Sequence, residues 1–268
     1  MERTSQERRF TGRVALVTGG SSGIGRAAAL AFAGEGAGVV IASRGTERGE
    51  AVQRELEALG AAAEFVPTDV SQAGQVETLV RRTVERFGRL DCAFNNAAAI
   101  DVGVYKATAD FSEEEFDQHL AFNLKSVWLC MKHEIAQMLR QGSGGTIVNT
   151  SSVNGLGGVP FNGLYAAAKA GVLGLTKSAA QEYAKQGIRV NALVAGGFRT
   201  PMLEGVFKRA SPDDPAAVEA GFAQLVPLGR IGRPEEAAEA VLWLCSDASS
   251  YLTGNSLIVD GGLTSPYR

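Results

Sequence analysis

Short runs rich in Val, Ile, Leu and Phe alternate with longer segments of helical periodicity along most of the chain. Such runs are typical of strands buried on both faces, and strands that alternate with helices assemble into a parallel sheet. The predicted strands are residues 14–18, 39–42, 63–66, 90–94, 146–149, 188–193 and 256–259. The pattern therefore predicts an α/β fold: one doubly wound, seven-stranded parallel sheet with helices on both faces.

Local signals mark where two of the helices begin. Ser112 followed by Glu115 is a capping box, and Pro234 followed by two acids is typical of a first helical turn. No internal repeat, low-complexity tract or linker divides the sequence. We therefore predict a single domain over 12–268, preceded by a polar and loosely held arm over 1–11.

Composition and charge narrow the class of function. The chain has 268 residues, 45% of them hydrophobic, and no apolar run approaches the roughly 20 residues that span a bilayer. The polar N-terminus predicts no signal peptide and no membrane anchor. A net charge of −3 with interspersed basic residues argues against nucleic-acid binding.

The three cysteines are widely spaced among apolar neighbours, which predicts buried thiols in the cytoplasm. Neither the cysteines nor the two histidines have the spacing of metal ligands, so the sequence predicts no metal site.

A glycine-rich segment directly follows the first predicted strand and opens a helix. It reads Thr18-Gly19-Gly20-Ser21-Ser22-Gly23-Ile24-Gly25. Glycines there let the backbone approach a pyrophosphate, whose charge the helix N-terminus favours. A plain tight turn is the alternative, but the position between strand and helix favours a dinucleotide site in a Rossmann-like domain.

The end of the second predicted strand bears on the choice of cofactor. An acid usually stands there to bind the adenosine ribose hydroxyls, whereas a 2′-phosphate requires a cation. Here the strand ends in Ser43 and Arg44, and the arginine offers a planar fork of donors. The sequence favours NADP; the alternative is a surface arginine, with NAD held by Ser43 and backbone groups.

Tyr165 and Lys169 stand four residues apart in a predicted helix, so their side chains share one face. A nearby cation favours the phenolate and would bring the pKa of Tyr165 closer to neutral. Such a pair also occurs by chance on helix surfaces, so it carries weight only together with the glycine segment.

The same helix, over 165–185, is small or apolar almost all round. A helix of this kind is buried on more than one side. We expect part of it to pack against another copy of the chain in a dimer or tetramer. The alternative is a core helix covered by its own chain.

Taken together, these motifs and the strand order resemble the short-chain dehydrogenase/reductase family over nearly all of 12–262. Further matching segments occur in order: Asp69-Val70, Asn95-Asn96-Ala97-Ala98, Asn123, Ser151-Ser152, 227–236 and Asp260-Gly261-Gly262. The number and order of the matches make chance an inadequate explanation.

The resemblance implies an NAD(P)-dependent oxidoreductase that interconverts a carbonyl and an alcohol on a small molecule. Ser152, with Ser151 as the neighbouring candidate, would polarise the substrate oxygen. Tyr165 would serve as general acid and base, while Lys169 binds the nicotinamide ribose and lowers the tyrosine pKa. Asn123 would hold a water in a proton relay.

The resemblance also implies which residues bind the cofactor. Asp69 and Val70 would flank the adenine, although Asp69 could instead cap the next helix. The predicted cofactor-binding residues are Gly19, Ser21, Ser22, Gly23, Ile24, Gly25, Ser43, Arg44, Asp69, Val70, Asn96, Ala97, Ala98, Tyr165, Lys169, Gly196, Phe198 and Thr200. Two residues depart from the family pattern: Ala98 replaces a glycine, which requires a negative φ, and Ala195 replaces a proline, which makes the carboxamide loop less rigid.

Three segments are expected to form the substrate pocket: 99–104, 153–161 and a partly helical lid over 202–225. Two other functions fit the same fold. A catalytically idle dinucleotide-binding regulator or scaffold has no need of Tyr165. A nucleotide-sugar epimerase or dehydratase would normally have a longer C-terminal substrate domain than the residues after the sixth strand provide.

Overall fold

The computed structural model describes residues 8–99 and 106–265. The strands are β1 (Val14–Thr18), β2 (Gly38–Ser43), β3 (Ala63–Pro67), β4 (Cys92–Asn95), β5 (Gly145–Ser152), β6 (Ile188–Ala195) and β7 (Ser256–Val259). The helices are α1 (Gly23–Gly34), α2 (Thr46–Ala58), α3 (Ala73–Phe87), α4 (Glu113–Leu120), α5 (Ser126–Gln141), α6 (Gly163–Tyr183), α7 (Pro201–Ala210), α8 (Pro215–Leu225) and α9 (Pro234–Cys245). None of these described helices is both long enough and apolar enough to cross a bilayer.

The strands form one parallel sheet in the order β3-β2-β1-β4-β5-β6-β7. This confirms the predicted fold class. Strands β2 and β3 lie on one side of β1, and strands β4 to β7 lie on its other side. The strand order therefore reverses between β1 and β4. The carboxyl ends of β1 and β4 therefore border a crevice, which is where ligands bind in open α/β sheets.

The alternation of side chains along each strand divides the core into two layers. Ala15 and Val17 of β1 pack in the layer formed with α1, α2 and α9, whereas Leu16 packs in the layer formed with α3, α5 and α6. Because both faces are covered, β1 and β2 are apolar over almost their whole length and not alternately polar. This explains why short apolar runs were sufficient to predict them.

The capping box predicted at the start of α4 is present. The Ser112 hydroxyl accepts a hydrogen bond from the Glu115 amide at 3.2 Å, and the Ser112 amide donates to the Glu115 carboxylate at 2.9 Å. A single π-helical turn, Ala121–Lys125, joins α4 to α5. The segment 202–225, for which a lid is predicted, contains nearly all of α7 and the whole of α8, separated by residues 211–214.

The prediction of a loose arm is wrong for the last residues of that segment. Phe10 is fully buried, and its ring lies edge-on to that of Phe32 with centroids 5.0 Å apart. The Arg9 amide and guanidinium donate to the Glu35 carboxylate at 3.1 and 2.9 Å. A buried aromatic side chain anchors this segment to α1, which the polar composition of the arm concealed. Residues 1–7 lie outside the described part of the chain.

Candidate active site

A cleft of about 530 Å³ opens at the carboxyl ends of the strands. The predicted site residues that line it are Gly19, Ser21, Ser22, Gly23, Ile24, Ser43, Arg44, Asp69, Val70, Asn96, Ala97, Ala98, Ser152, Tyr165, Lys169, Gly196, Phe198 and Thr200. Two predicted site residues, Gly25 and Asn123, are not part of this lining. The volume lies within the range of about 300–1,000 Å³ that is usual for ligand sites.

The glycine segment between β1 and α1 is tightly packed against its neighbours. Gly19 has a φ of +68°, and a Cβ there would lie 2.9 Å from Asn96 Nδ2. A Cβ on Gly25 would lie 2.3 Å from the carbonyl oxygen of Gly19. The Ser22 side chain makes no capping hydrogen bond, so it does not compete for the amides that begin α1. The segment fits the backbone cradle that a pyrophosphate requires.

The hydroxyl of Thr18, the last residue of β1, binds the segment that follows the neighbouring strand β4. Its oxygen accepts hydrogen bonds from the amides of Asn96 at 3.0 Å and Ala97 at 3.2 Å. The segment that follows β4 is thereby fixed beside the end of β1. Since β1 and β4 border the crevice, these hydrogen bonds hold its two sides together.

The far end of the cleft, at β2 and β3, suits an adenosine group. Ser43 Oγ is buried without a hydrogen-bond partner. The Arg44 guanidinium lies 5.6 Å from the ring centre of Phe122, and Arg48 also lines the cleft. Asp69 Oδ1 accepts hydrogen bonds from the amide and the hydroxyl of Ser71, at 2.9 and 2.7 Å. Asp69 therefore forms a local turn, while Gln72 is the N-cap of α3.

The structure brings Ser152, Tyr165 and Lys169 together at the end of β5. Lys169 Nζ donates to the carbonyl oxygen of Thr150 at 2.9 Å and lies 5.6 Å from the ring centre of Tyr165. The tyrosine and the lysine are only 8% and 1% exposed. The Ser151 hydroxyl donates to the Lys169 carbonyl oxygen at 2.8 Å, so of the two neighbouring serines it is Ser152 that remains for a ligand.

Burial dominates the electrostatics of this group. It raises the pKa of Tyr165 to about 12, against the opposite effect of the Ser152 hydroxyl. It also lowers the pKa of Lys169 to about 8. For Tyr165 the sequence predicted the opposite direction, because that prediction considered the lysine charge and not the cost of burying a phenolate. The phenol of Tyr165 therefore carries its proton at neutral pH.

Asn123 lies in the π-helical turn and faces the segment after β4. Its Oδ1 accepts a hydrogen bond from the Ala99 amide at 3.1 Å, and its Nδ2 is buried without a partner. The side chain thus connects the π-helical turn before α5 to Ala99, which directly follows the predicted cofactor-binding residues 96–98. A donor without an acceptor in such a position is suited to hold a water molecule.

Both departures from the family pattern are accommodated. Among the described residues, Phe161 is the only non-glycine residue with a positive φ, so the methyl group of Ala98 meets the condition predicted for it. Ala195 is the last residue of β6, in register with Ser152 and Val259. A Cβ on the following Gly196 would lie 2.6 Å from Asp260 Cα. The close approach explains why a glycine occupies that position.

Several lining residues were missed by the sequence analysis. They include Arg48, Phe122, Asn162 and Leu263. Arg48 had no decisive local signal, because Arg44 precedes the start of α2 at Thr46 and helical spacing therefore does not relate the two arginines. Leu263 had no local signal, since only tertiary packing brings the C-terminal segment to the cleft. Of the predicted pocket wall 99–104, residues 100–104 lie outside the described residues.

Comparison with known proteins gives consistent similarities over nearly the whole chain. A family model described as enoyl-(acyl carrier protein) reductase matches residues 19–264. A 2,5-dichloro-2,5-cyclohexadiene-1,4-diol dehydrogenase of Sphingobium indicum is 45% identical over 255 residues, which cover 95% of this chain and 98% of the relative. An A-factor type gamma-butyrolactone 1′-reductase of Streptomyces virginiae is 42% identical over 262 residues, covering 97% and 99%.

A levodione reductase of Leifsonia aquatica is 41% identical over 266 residues, covering 98% of both chains. A crystal structure of levodione reductase has a TM-score of 0.93 to this chain at 41% identity. That likeness covers 97% of this chain and 100% of the other. The similarity therefore includes the strands and the loops that carry the candidate site.

The tight packing at Gly25 predicts the effect of one methyl group. Gly25→Ala is expected to weaken dinucleotide binding about tenfold or more, because overpacking costs about 1–3 kcal/mol and 1.4 kcal/mol corresponds to tenfold. Gly34→Ala, at the other end of α1, is the matched control, since a Cβ there meets nothing within 4 Å. Calorimetric titration with NADPH measures both, and equal affinities for the two variants would contradict the assignment of the loop.

Proposed function

Because the chain belongs to the short-chain dehydrogenase/reductase family, we propose that it is an NADP-preferring oxidoreductase that interconverts a carbonyl and an alcohol, with Tyr165 as general acid and base. The observation that carries the proposal is the meeting of Ser152, Tyr165 and Lys169 in a cleft that begins at a glycine cradle. A dinucleotide-binding scaffold does not require a buried phenol beside a buried ammonium.

A bound nicotinamide supplies or accepts the hydride. In the direction of reduction, the Tyr165 phenol donates its proton to the substrate oxygen while the Ser152 hydroxyl hydrogen-bonds the same oxygen. One donor of the Lys169 ammonium goes to Thr150, so two remain for ribose hydroxyls. Asn123 holds a water that returns the proton to the tyrosine. In oxidation, the tyrosine accepts the proton of the alcohol.

The preference for NADP rests on the cations at the adenosine end. Arg44 and Arg48 both line the cleft, and neither forms an ion pair within the described residues. Ser43, the last residue of β2, lines the same cleft, and its buried hydroxyl has no hydrogen-bond partner. Two guanidinium groups and a hydroxyl suit a 2′-phosphate, which NAD lacks.

The relatives suggest the substrate class. Two of their names specify rings, a cyclohexadiene-diol and a gamma-butyrolactone. The substrate end of the cleft here is mostly apolar, with a few amides. Its lining includes Val153, Asn154, Val159, Asn162, Met202, Leu203, Val206 and Phe222. We propose that the substrate is a small ring ketone or ring alcohol whose apolar ring packs under α7 and α8.

The surface between α5 and α6 supports a homo-oligomer. It exposes Trp128 and Leu139, at 44% and 42%, beside a shallow apolar groove. The groove is also lined by Met131, Ile135, Ala136, Leu175, Ala179 and Tyr183, and Lys132, Ser178 and Glu182 are its polar lining residues. Exposed apolar surface of this kind marks a protein interface, and we propose that a second copy covers it in a dimer or tetramer.

A cytoplasmic location is also part of the proposal. Cys92, Cys130 and Cys245 are free and buried. Burial raises the pKa of Cys130 well above its usual value, so this thiol stays protonated and unreactive. Unpaired buried thiols are usual in a reducing compartment. A nicotinamide-dependent enzyme would also find its cofactor there.

Tyr165→Phe tests the proton donor. The variant is expected to lose about 10²- to 10⁴-fold in kcat, because general acid catalysis supplies that much, while binding NADPH as the wild type does. The measurement is the absorbance of NADPH with a panel of ring ketones and ring alcohols, supplemented by calorimetric titration. Full turnover by the variant would refute the assignment, and a wild type that binds NADPH but turns over no carbonyl or alcohol would favour the idle regulator or scaffold.

Arg44→Ala with Arg48→Ala tests the cofactor preference. The double variant is expected to lose about tenfold or more of the NADP-over-NAD preference in kcat/KM, because a hydrogen bond to a charged group contributes about 1.5–3 kcal/mol. Arg54→Ala is the control, because Arg54 is an exposed residue of the same helix α2 that does not line the cleft. An unchanged ratio in the double variant would show that these arginines do not bind a 2′-phosphate.

Leu139→Glu tests the proposed interface. A buried charge without a partner is costly, so the variant is expected to shift the molar mass in solution toward that of a single chain. Leu59→Glu, directly after the end of α2, where the leucine is 56% exposed, is the control that should leave the mass unchanged. Light scattering at micromolar concentration measures both. A wild type that is already monomeric would refute the oligomer.

A further inference from the structure

Glu134 is an acidic residue of α5 that lies inside the protein, where the proposed chemistry does not use it. It is 1% exposed and forms no ion pair with any described residue. Burying a carboxyl group without a cation is unfavourable unless hydrogen bonds compensate or the group is neutral. A sequence that keeps an acid in such a place calls for a physical reason.

The carboxyl group belongs to a chain of buried hydrogen bonds. Asn95 Nδ2 donates both to Glu134 Oε2 at 2.9 Å and to Asn149 Oδ1 at 3.0 Å. Asn149 Nδ2 in turn donates to Thr176 Oγ1 at 3.0 Å, and the threonine hydroxyl donates to the Val172 carbonyl oxygen at 2.8 Å. The chain of bonds therefore connects α5, β4, β5 and α6 in that order.

These four elements carry the groups of the proposed reaction. Asn95 is the last residue of β4 and directly precedes the cofactor segment 96–98. Asn149 lies three residues before Ser152 on β5, and Thr176 lies two turns after Lys169 on α6. Helix α5 begins directly after the π-helical turn that holds Asn123. A displacement of any side chain in this row of hydrogen bonds would move the groups of the proposed reaction relative to one another.

Two acceptors in this row of buried hydrogen bonds lack a donor. Glu134 Oε1 and Asn95 Oδ1 are both buried without a hydrogen-bond partner, and they belong to the two side chains that already share a hydrogen bond. A buried acceptor without a donor costs about 1–3 kcal/mol. A proton on Glu134 Oε1 would turn that atom into a donor, which removes one of the two unpaired acceptors from this pair of side chains.

The surroundings of the carboxyl group favour the neutral form. Burial raises the pKa of Glu134 to about 7, and the hydrogen bond from Asn95 opposes this only in part. The titratable neighbour that its charge reaches is Cys130, whose pKa burial and Glu134 both raise. The partners from β4, β5 and α6 are amides and a hydroxyl, so no cation favours the carboxylate.

We propose that Glu134 holds a proton and acts as a positioning residue, which through Asn95 and Asn149 sets the placement of Ser152 and the cofactor segment relative to Tyr165 and Lys169. The inference rests on the proposed function, since it concerns the geometry of the same reaction. It assigns to Glu134 no contact with substrate or cofactor.

Glu134→Leu removes the carboxyl group and leaves Asn95 without its partner. It is expected to lower kcat roughly 10- to 100-fold, because small displacements of reacting groups have effects of that size, while the Kd for NADPH changes little. Gln137→Leu is the matched control. Gln137 is also buried on α5, one turn further on, but its hydrogen bonds to Arg140 and Gln141 stay within that helix. Glu134→Leu turnover equal to that of Gln137→Leu would overturn the proposal.

Glu134→Gln distinguishes a requirement for a neutral hydrogen-bond donor from a requirement for a negative charge. It tests the proposal even if Glu134→Leu does not fold. A glutamine accepts from Asn95 with its oxygen and donates with its amide in place of the proton, so kcat is expected to stay near the wild-type value. A loss as large as that of the leucine variant would overturn the proposal, because it would show that the negative charge is what the site requires.

Infrared difference spectroscopy below pH 7 gives a readout that does not depend on turnover. The wild type and Gln137→Leu are expected to show the carbonyl stretch of a buried protonated carboxyl group, and Glu134→Gln is expected to lack it. Absence of the band from the wild type would overturn the proposed proton. A wild type that shows the band but reduces no carbonyl would instead refute the proposed function and leave the protonated state of Glu134 established.

Discussion

The contact on which the site depends is the reciprocal bonding of Lys169 to strand β5. Its ammonium donates to the Thr150 carbonyl oxygen, and its own carbonyl oxygen accepts from the Ser151 hydroxyl. The backbone approach is so close that a Cβ on Gly155 would lie 2.8 Å from the Lys169 carbonyl carbon. Helix α6 is thereby held against the end of β5, and the position of Tyr165 beside Ser152 follows from this contact.

Holding the site in this way requires polar groups in the interior. Tyr165, Lys169 and Glu134 are all buried, and burial displaces the pKa of each toward its neutral form. A phenol that keeps its proton is a competent donor for a carbonyl oxygen, and hydrogen bonds within the core compensate part of the cost of burial. The same low-dielectric interior that makes these groups costly makes their interactions with a ligand strong.

Much of the fold was predictable because parallel strands buried on both faces leave an unusually clear pattern of apolar runs. All seven strands were predicted, and the glycine segment lies where the spacing from Gly19 to Gly25 indicated. The arm before Gly12 was predicted wrongly because one residue, Phe10, outweighs its polar neighbours by packing against Phe32. Arg48 was missed because its approach to the cleft depends on how α2 leaves β2, which local patterns do not specify.

The sequence by itself determined the order of strands and helices, the place of the glycine cradle and the pairing of Tyr165 with Lys169, because these depend on local spacing and on residue chemistry. Ser152 and Asn123 became candidates only through the resemblance to the short-chain dehydrogenase/reductase family. Only the tertiary structure decided the direction of the Tyr165 pKa shift, the separate uses of Ser151 and Ser152, and the buried chain from Glu134 to Thr176. Each of these depends on desolvation or on contacts between residues far apart in the chain, and neither quantity is contained in local sequence.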